Sequence, residues 1–212
     1  ESDAKTFGSL LDCLALTPEQ FEHRYALEPS SYRNEKGEEK SWSNNANVCR
    51  AWHQNQGERE VIKVRQLAEA QAAANALATD EIISAWTAAS ETQVWIAADW
   101  TDQRTGWVIP CRCLIDYAPK SDSEFSGALG DLKTTRNGAV SSFQRWVYQA
   151  GYHVQAAFNL DLWNAATSEG RTDWCFIVIE NFAPWEPGRR LLSQDFIEMG
   201  RATYRLALGR YA

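Results

Sequence analysis

The spacing of apolar residues changes near residue 90, and this change constrains the fold more than any other feature. Residues 5–16 and 65–88 carry apolar residues at helical spacing and are rich in strong helix formers. Residues 91–100 and 106–119 are rich in β-branched and aromatic residues and flank the turn sequence TDQRTG. Helices before a β-hairpin, with both element types after it, predict an α/β fold with a mixed central sheet flanked by helices.

The remaining elements follow from local signals. We predict a short helix at 17–21 with Thr17 as its N-cap and a division of 65–88 near Thr79. No repeat or linker interrupts the pattern, so we predict a single domain over residues 1–212. The other predicted elements are an extended segment at 25–29, a loop at 30–41, helices at 42–56, 141–168 and 193–210, and strands at 127–135, 174–182 and 188–193.

Composition narrows the class of protein. The net charge of −7 argues against coating nucleic acid through overall charge, although a local basic channel could still hold a DNA backbone. The five cysteines are odd in number, and Cys111 and Cys113 lack zinc-ligand spacing, so we expect a reduced, cytoplasmic protein.

No apolar run reaches membrane-spanning length, so no membrane partner is expected. The chain begins inside a helical pattern, which predicts an upstream segment.

Two acids and a lysine form the candidate chemical group. Side chains alternate along a strand, so Asp131 and Lys133 share a face of the strand 127–135. Asp116 ends the preceding apolar strand, on the face opposite its cysteines and together with Arg112. Carboxylates from adjacent strands suit Mg²⁺ or Mn²⁺, and a neighbouring lysine could stabilise charge on a reacting phosphate. The alternative is an ordinary surface salt bridge, which is the commoner origin of such a pair.

A stripe of polar and aromatic residues follows in the predicted helix 141–168. It consists of Tyr148, Tyr152, Gln155 and Asn159, which are spaced by four, three and four residues. The stripe could line a cleft. Alternatively, the tyrosines are half-buried against the sheet and the amides face water.

Several segments together resemble a known nuclease family. CRCLIDYAPK (111–120) and GALGDLKTTRNGAVSSFQRWVYQAGYHVQAAF (127–158) closely resemble the RecE-type exonuclease VIII domain of phage and prophage recombination systems. That domain belongs to the PDDEXK nuclease superfamily, with lambda exonuclease. FGSLLDCLALTPEQFEHRYALEP (7–29) is similar to the family's opening helix, and residues 90–113 and 176–212 are similar to its hairpin and closing strand and helix. The resemblance covers nearly the whole chain and implies a PDDEXK core.

The resemblance implies a role for individual residues. Gln155 matches the glutamine of a Q-x-x-x-Y motif, and Lys133 matches the catalytic lysine. Asp12 stands where the family commonly carries a histidine near the metal, and Asn159 stands where the motif expects tyrosine. The implied metal ligands are Asp116, Asp131, the Leu132 carbonyl, Glu91 and Asp12, and the implied catalytic residues are Lys133, Asp131, Asp116, Glu91 and Gln155.

The implied activity is hydrolysis of linear double-stranded DNA from a 5′ end, dependent on two Mg²⁺ ions with Mn²⁺ as a substitute. Mononucleotides would be released and a 3′ single strand would remain for homologous recombination. A homo-oligomeric ring, a trimer or tetramer, is implied, as is a single-strand annealing recombinase of the RecT or Red beta type as partner. The expected DNA contacts are Arg112, Arg136, Arg145, Tyr152 and Asn159.

Three alternatives differ from this interpretation. The chain could be another PDDEXK endonuclease, which a comparison of circular with linear DNA would reveal. An iron–sulfur nuclease is disfavoured because no cysteine follows Cys175. A DNA-end-binding module without catalysis is kept open by Asp12 and Asn159, whereas the intact Asp116, Asp131 and Lys133 argue against it.

Overall fold

The computed structural model describes residues 3–211. These residues group into two compact units, one ending at Asn75 and the other beginning at Ala76, and each unit is described by itself. The prediction of a single domain over 1–212 stays a prediction.

The first unit combines short helices with short strands. β1 and β4 pair in parallel, with Ala26 opposite Val61. Buried apolar residues of α1, including Leu10 and Leu11, belong to its core. The elements are α1 (Asp3–Leu16), a 3₁₀ turn (Pro18–Gln20), α2 (Phe21–Arg24), β1 (Tyr25–Leu27), β2 (Ser31–Arg33), β3 (Glu39–Ser41), α3 (Asn47–Gln54), β4 (Glu60–Ile62) and α4 (Val64–Thr79), of which α4 continues into the second unit.

Two predictions for this unit were wrong in detail. Residues 30–41 are not a loop, because β2 and β3 form an antiparallel hairpin. The helix predicted for 42–56 begins only at Asn47, because the Trp42 N–H still donates to the Ser30 carbonyl at 3.0 Å at the end of the hairpin. The prediction of Thr17 as an N-cap is confirmed, although its side chain makes no capping hydrogen bond. The strands contain three residues each, too few for an alternating pattern to be recognised.

The second unit contains a five-stranded mixed sheet in the order β5-β6-β7-β8-β9. β7 and β8 are parallel and the other neighbours are antiparallel, as expected for a mixed sheet. The helix division near Thr79 is confirmed, because Asp80 caps α5 by accepting from the Ile82 and Ile83 N–H groups. The elements are α5 (Glu81–Ala89), β5 (Ser90–Thr101), β6 (Val108–Pro119), β7 (Ala128–Thr135), α6 (Val140–Gln149), α7 (Tyr152–Thr167), β8 (Asp173–Glu180), β9 (Pro187–Leu191) and α8 (Gln194–Tyr211).

The predicted helix 141–168 is two helices. Gly151 adopts a left-handed backbone, with φ 72°, between α6 and α7, and glycine reaches this region without a steric penalty. Tyr148 therefore lies on α6, with an exposed side chain, and is not part of one stripe with Tyr152, Gln155 and Asn159. The stripe predicted from spacing is thus wrong at its first member.

One face of the sheet packs against α6, α7 and α8. Cys113 and Ile115 of β6 belong to this core, as does Phe176 of β8. Burial raises the pKa of the Cys113 thiol to about 11, so the thiol is neutral near pH 7. The predicted apolar face of β6 is confirmed. Within residues 3–211, no helix has the length and apolar character needed to cross a membrane.

Gly200 permits the close packing of α8 on α7. A Cβ at this position would overlap the His153 carbonyl group, 2.7 Å from its carbon, and would lie 2.9 Å from the Ala157 Cβ. Since the obstacle is backbone, the helices would have to separate. We expect Gly200→Ala to lower the free energy of unfolding by about 1–3 kcal/mol, measured by urea denaturation. Gly209→Ala, on the same helix, is the control, and equal effects of the two substitutions would contradict this account.

Candidate active site

The site begins where β6 and β7 meet. The two strands share one ladder pair, Tyr117 with Gly130. Beside it, the Leu132 N–H donates to Oδ2 of Asp116 at 2.8 Å, so a side-chain carboxylate serves as the acceptor for this backbone group. Asp116 is thereby fixed next to the strand that carries Asp131 and Lys133.

Asp131 and Lys133 are in direct contact. Asp131 is only 3% exposed, and its Oδ2 forms an ion pair with the Lys133 ammonium. Its Oδ1 accepts a 2.7 Å hydrogen bond from Nε2 of Gln155 on α7. The Lys133 ammonium also lies 4.9 Å from the centre of the Tyr152 ring. A buried acid, a lysine and an amide from three predicted positions therefore form one cluster.

Lys133 is held in its charged form. Burial by itself lowers the pKa of a lysine, but the charge of Asp131, its hydrogen bond and the charge of Asp116 outweigh burial, and the pKa of Lys133 rises above its ordinary value. An ammonium in this state can donate hydrogen bonds and neutralise negative charge. It cannot accept a proton near neutral pH.

Gln93 is a member of the cluster that the sequence did not reveal. Its Nε2 donates to Oδ1 of Asp116 at 2.9 Å, from the adjacent strand β5. The position could have been noted from the hairpin register, because Thr92 pairs with Tyr117 and Val94 pairs with Ile115. Its backbone is left-handed, with φ 53°, and no sequence pattern predicts this conformation for a residue other than glycine.

Other predicted site residues lie elsewhere. Glu91 is exposed, and its side chain makes no hydrogen bond or ion pair with the described residues. Asp12 lies half-buried on α1 of the first unit, and its metal role stays a prediction. Asn159 is only 3% exposed, because α7 turns this residue into the core beside Leu160. Its contact with DNA stays a prediction.

The three predicted DNA-binding arginines are exposed. Arg112 lies on β6 with its guanidinium 5.8 Å from the centre of the Trp95 ring, and Trp95 is itself 66% exposed. Arg136 follows β7 and Arg145 lies on α6. Across residues 3–211 none of the three arginines forms an ion pair, which leaves their charges available to an anionic ligand. Their contact with DNA stays a prediction.

Arg171 joins the ends of the two strands that carry the acids. It is 4% exposed, and its guanidinium donates to the Pro119 carbonyl at 2.7 Å and to the Ala128 carbonyl at 3.1 Å. Pro119 ends β6 and Ala128 begins β7. Glu169 accepts from the same guanidinium at 2.7 Å. Arg171 thus holds β6 and β7 together on the side of the ladder pair away from Lys133.

A second polar cluster involves Asp161 on α7. Its carboxylate accepts from Arg201 at 2.8 Å, from the Tyr204 hydroxyl at 2.5 Å and from Arg205 at 3.1 Å. Asp161 thus accepts three hydrogen bonds from α8. The cluster ties α8 to α7, and we interpret it as structural.

The donor set at Asp116 and Asp131 fits a hard divalent cation. Mg²⁺ in proteins commonly uses one or two carboxylates and keeps several waters. Two carboxylates from adjacent strands, with the carbonyl of Leu132 directly after Asp131, supply such oxygen ligands. Within the described part of the chain, no group of three or more histidine, cysteine or acidic side chains is placed to hold a metal. The remaining ligands would therefore be water and substrate.

Comparison with known proteins shows the fold. No family model and no curated protein matches the sequence. The chain is similar in structure to a crystallised protein from Eubacterium rectale named "Putative exonuclease", with a TM-score of 0.59 and 16% identity. The match covers 99% of this chain and 66% of that one. A second solved structure, SSO0001, has a TM-score of 0.37 with 14% identity over 66% of this chain and 60% of that one, too low to carry an argument. This α/β chain thus shares its fold with a protein named as an exonuclease.

Proposed function

We propose that this chain is a Mg²⁺-dependent exodeoxyribonuclease that degrades linear double-stranded DNA from a 5′ end. It would release mononucleotides and leave a 3′ single strand. The observation that carries the proposal is the cluster of Asp116, Asp131 and Lys133 beside the single β6–β7 ladder pair. The shared fold with a protein named as an exonuclease and the resemblance to RecE-type domains support it.

The residues of the cluster have distinct tasks. Asp116 and Asp131, with the Leu132 carbonyl, would hold up to two divalent ions, of which Mg²⁺ fits best and Mn²⁺ is a substitute. Bound metal would supply Lewis-acid activation of the phosphodiester and of water. Lys133 stays an ammonium and stabilises negative charge on the phosphate. Gln155 keeps Asp131 oriented through its 2.7 Å hydrogen bond.

DNA would be held by local charge rather than by net charge. Arg112 is exposed on the same face of β6 as Asp116, next to the exposed ring of Trp95. Arg136 and Arg145 add two further exposed cations. A ring of subunits, a trimer or a tetramer, would place these cations on an inner wall and leave the acidic remainder outside. Sedimentation analysis of the purified chain would test the ring.

The product of this reaction defines the partner class. A 3′ single strand is the substrate of a single-strand annealing recombinase of the RecT or Red beta type. We propose such a protein as the partner in homologous recombination of phage type.

Product analysis tests the proposal. Linear duplex DNA with a 5′ phosphate, labelled at either end, is incubated with the chain and Mg²⁺, with closed circular DNA as control. We expect acid-soluble nucleotides from linear DNA, early release of the 5′ label, and intact circles. Cleavage of circles would instead establish an endonuclease. Retention of intact linear DNA on the protein would favour a binding module.

A further inference from the structure

The carboxylate of Asp116 is held by two donors from different strands. Leu132 of β7 donates its backbone N–H to Oδ2 at 2.8 Å, and Gln93 of β5 donates its side-chain amide to Oδ1 at 2.9 Å. A carboxylate oxygen has two lone-pair sites, so one hydrogen bond to each oxygen does not by itself prevent the carboxylate from binding a metal. The carboxylate is therefore oriented without being saturated by these two bonds.

The backbone at Gln93 is unusual for its location. Of residues 3–211, the non-glycine residues with positive φ are Gln93, Ser168 and Trp185. Ser168 ends α7 and Trp185 lies in a turn, whereas Gln93 lies inside the 12-residue strand β5. A left-handed residue inside a strand is disfavoured and persists only where the surroundings impose it.

The unusual conformation coincides with one gap in the ladder. β5 and β6 pair continuously from Ser90–Pro119 to Thr101–Val108, except at the position where Gln93 faces Asp116. The backbone pair is lost at the one place where the side-chain amide meets the carboxylate. Strain at a ligand-holding position is the pattern expected of a functional constraint.

We propose that Gln93 is the positioning residue of the metal site: its left-handed backbone aims the side-chain amide at Asp116 and sets the affinity of that carboxylate for a divalent cation. This inference rests on the proposed function, because it takes Asp116 to be a metal ligand. Hydrogen-bond partners of metal ligands typically change metal affinity 10- to 100-fold when removed. Gln93 is not a catalytic residue, since it acts through Asp116.

The test measures Mg²⁺ binding to the full chain by isothermal titration calorimetry, without DNA. Gln93→Gly removes the amide and accepts the left-handed backbone, so folding is preserved. Gln93→Asn keeps an amide and tolerates the same backbone, but its side chain is one methylene too short to reach Oδ1. Ala97→Gly, on an exposed position of the same strand, is the matched control for a strand glycine.

We expect the dissociation constant for Mg²⁺ to rise about tenfold or more in both Gln93 variants and to stay unchanged in Ala97→Gly. Nuclease activity of Gln93→Gly should return when Mg²⁺ is raised in proportion, which a general loss of structure would not allow. Unchanged or tighter Mg²⁺ binding in both variants, with Mg²⁺ bound by the parent chain, overturns the positioning role and leaves the proposed function standing. A parent chain that binds neither Mg²⁺ nor Mn²⁺ overturns both.

Discussion

Lys133→Met is expected to lower the rate of nucleotide release from linear DNA by about 10²–10³-fold, the usual cost of removing one positioned donor from a charged transition state. Methionine keeps an unbranched side chain of nearly the same length but removes the ammonium and its contact with the Tyr152 ring. Because the pKa of Lys133 is raised by its acidic neighbours, the lost group is a cation over the whole neutral range. The rate is measured at saturating DNA and Mg²⁺.

The substitution also leaves Asp131 buried without its cation. Removing one partner of a buried pair typically costs about 3–5 kcal/mol, so circular dichroism at the assay temperature must confirm that the variant is folded. Lys120→Met, at an exposed lysine that follows β6, is the matched control and should retain full activity. A folded Lys133→Met variant with the activity of the Lys120→Met control would remove the lysine from the mechanism.

Arg171→Met is expected to cause a large loss of stability. The buried Pro119 and Ala128 carbonyls would each lose a donor, and an unsatisfied buried acceptor costs about 1–3 kcal/mol. The sum is about 2–6 kcal/mol, which corresponds to a fall in Tm of roughly 10 °C for a chain of this length. The packing of the guanidinium on the Trp163 ring, 4.5 Å from its centre, is lost as well.

Differential scanning calorimetry measures this effect, with Arg145→Met as the control at an exposed arginine of α6. The Arg145 variant should melt within about a degree of the parent, since exposed substitutions usually change stability by less than 0.5 kcal/mol. If the two variants melt together, Arg171 does not hold the strand ends as described.

The second half of the fold could be predicted from sequence because its signals are local. The β5–β6 hairpin has an alternating pattern over two long strands. The same two-residue alternation predicted that the cysteines of β6 face the core. The first unit gave weaker signals, since the hairpin at 31–41 is polar and its strands contain three residues each. The break at Gly151 was missed because a single glycine within a helical pattern is often tolerated.

The candidate site was predictable where it depends on strand geometry. Asp131 and Lys133 share a face of β7, and the contact of Asp116 with this strand followed from adjacency of β6 and β7. The hairpin register places Gln93 opposite Asp116, but its left-handed backbone could not be predicted, because tertiary structure imposes that conformation. Glu91, assigned by resemblance, lies two residues away on the same strand and is exposed.

The central claim is that Asp116, Asp131 and Lys133 form the metal-dependent site of a nuclease. Its most direct test is nucleotide release from linear 5′-phosphorylated duplex DNA by the parent chain in Mg²⁺, by the parent chain in EDTA, and by Asp131→Asn in Mg²⁺. We predict release in the first reaction and at most residual release in the other two. Release that persists in EDTA or in the folded Asp131→Asn variant, or intact DNA under both Mg²⁺ and Mn²⁺, would contradict the claim.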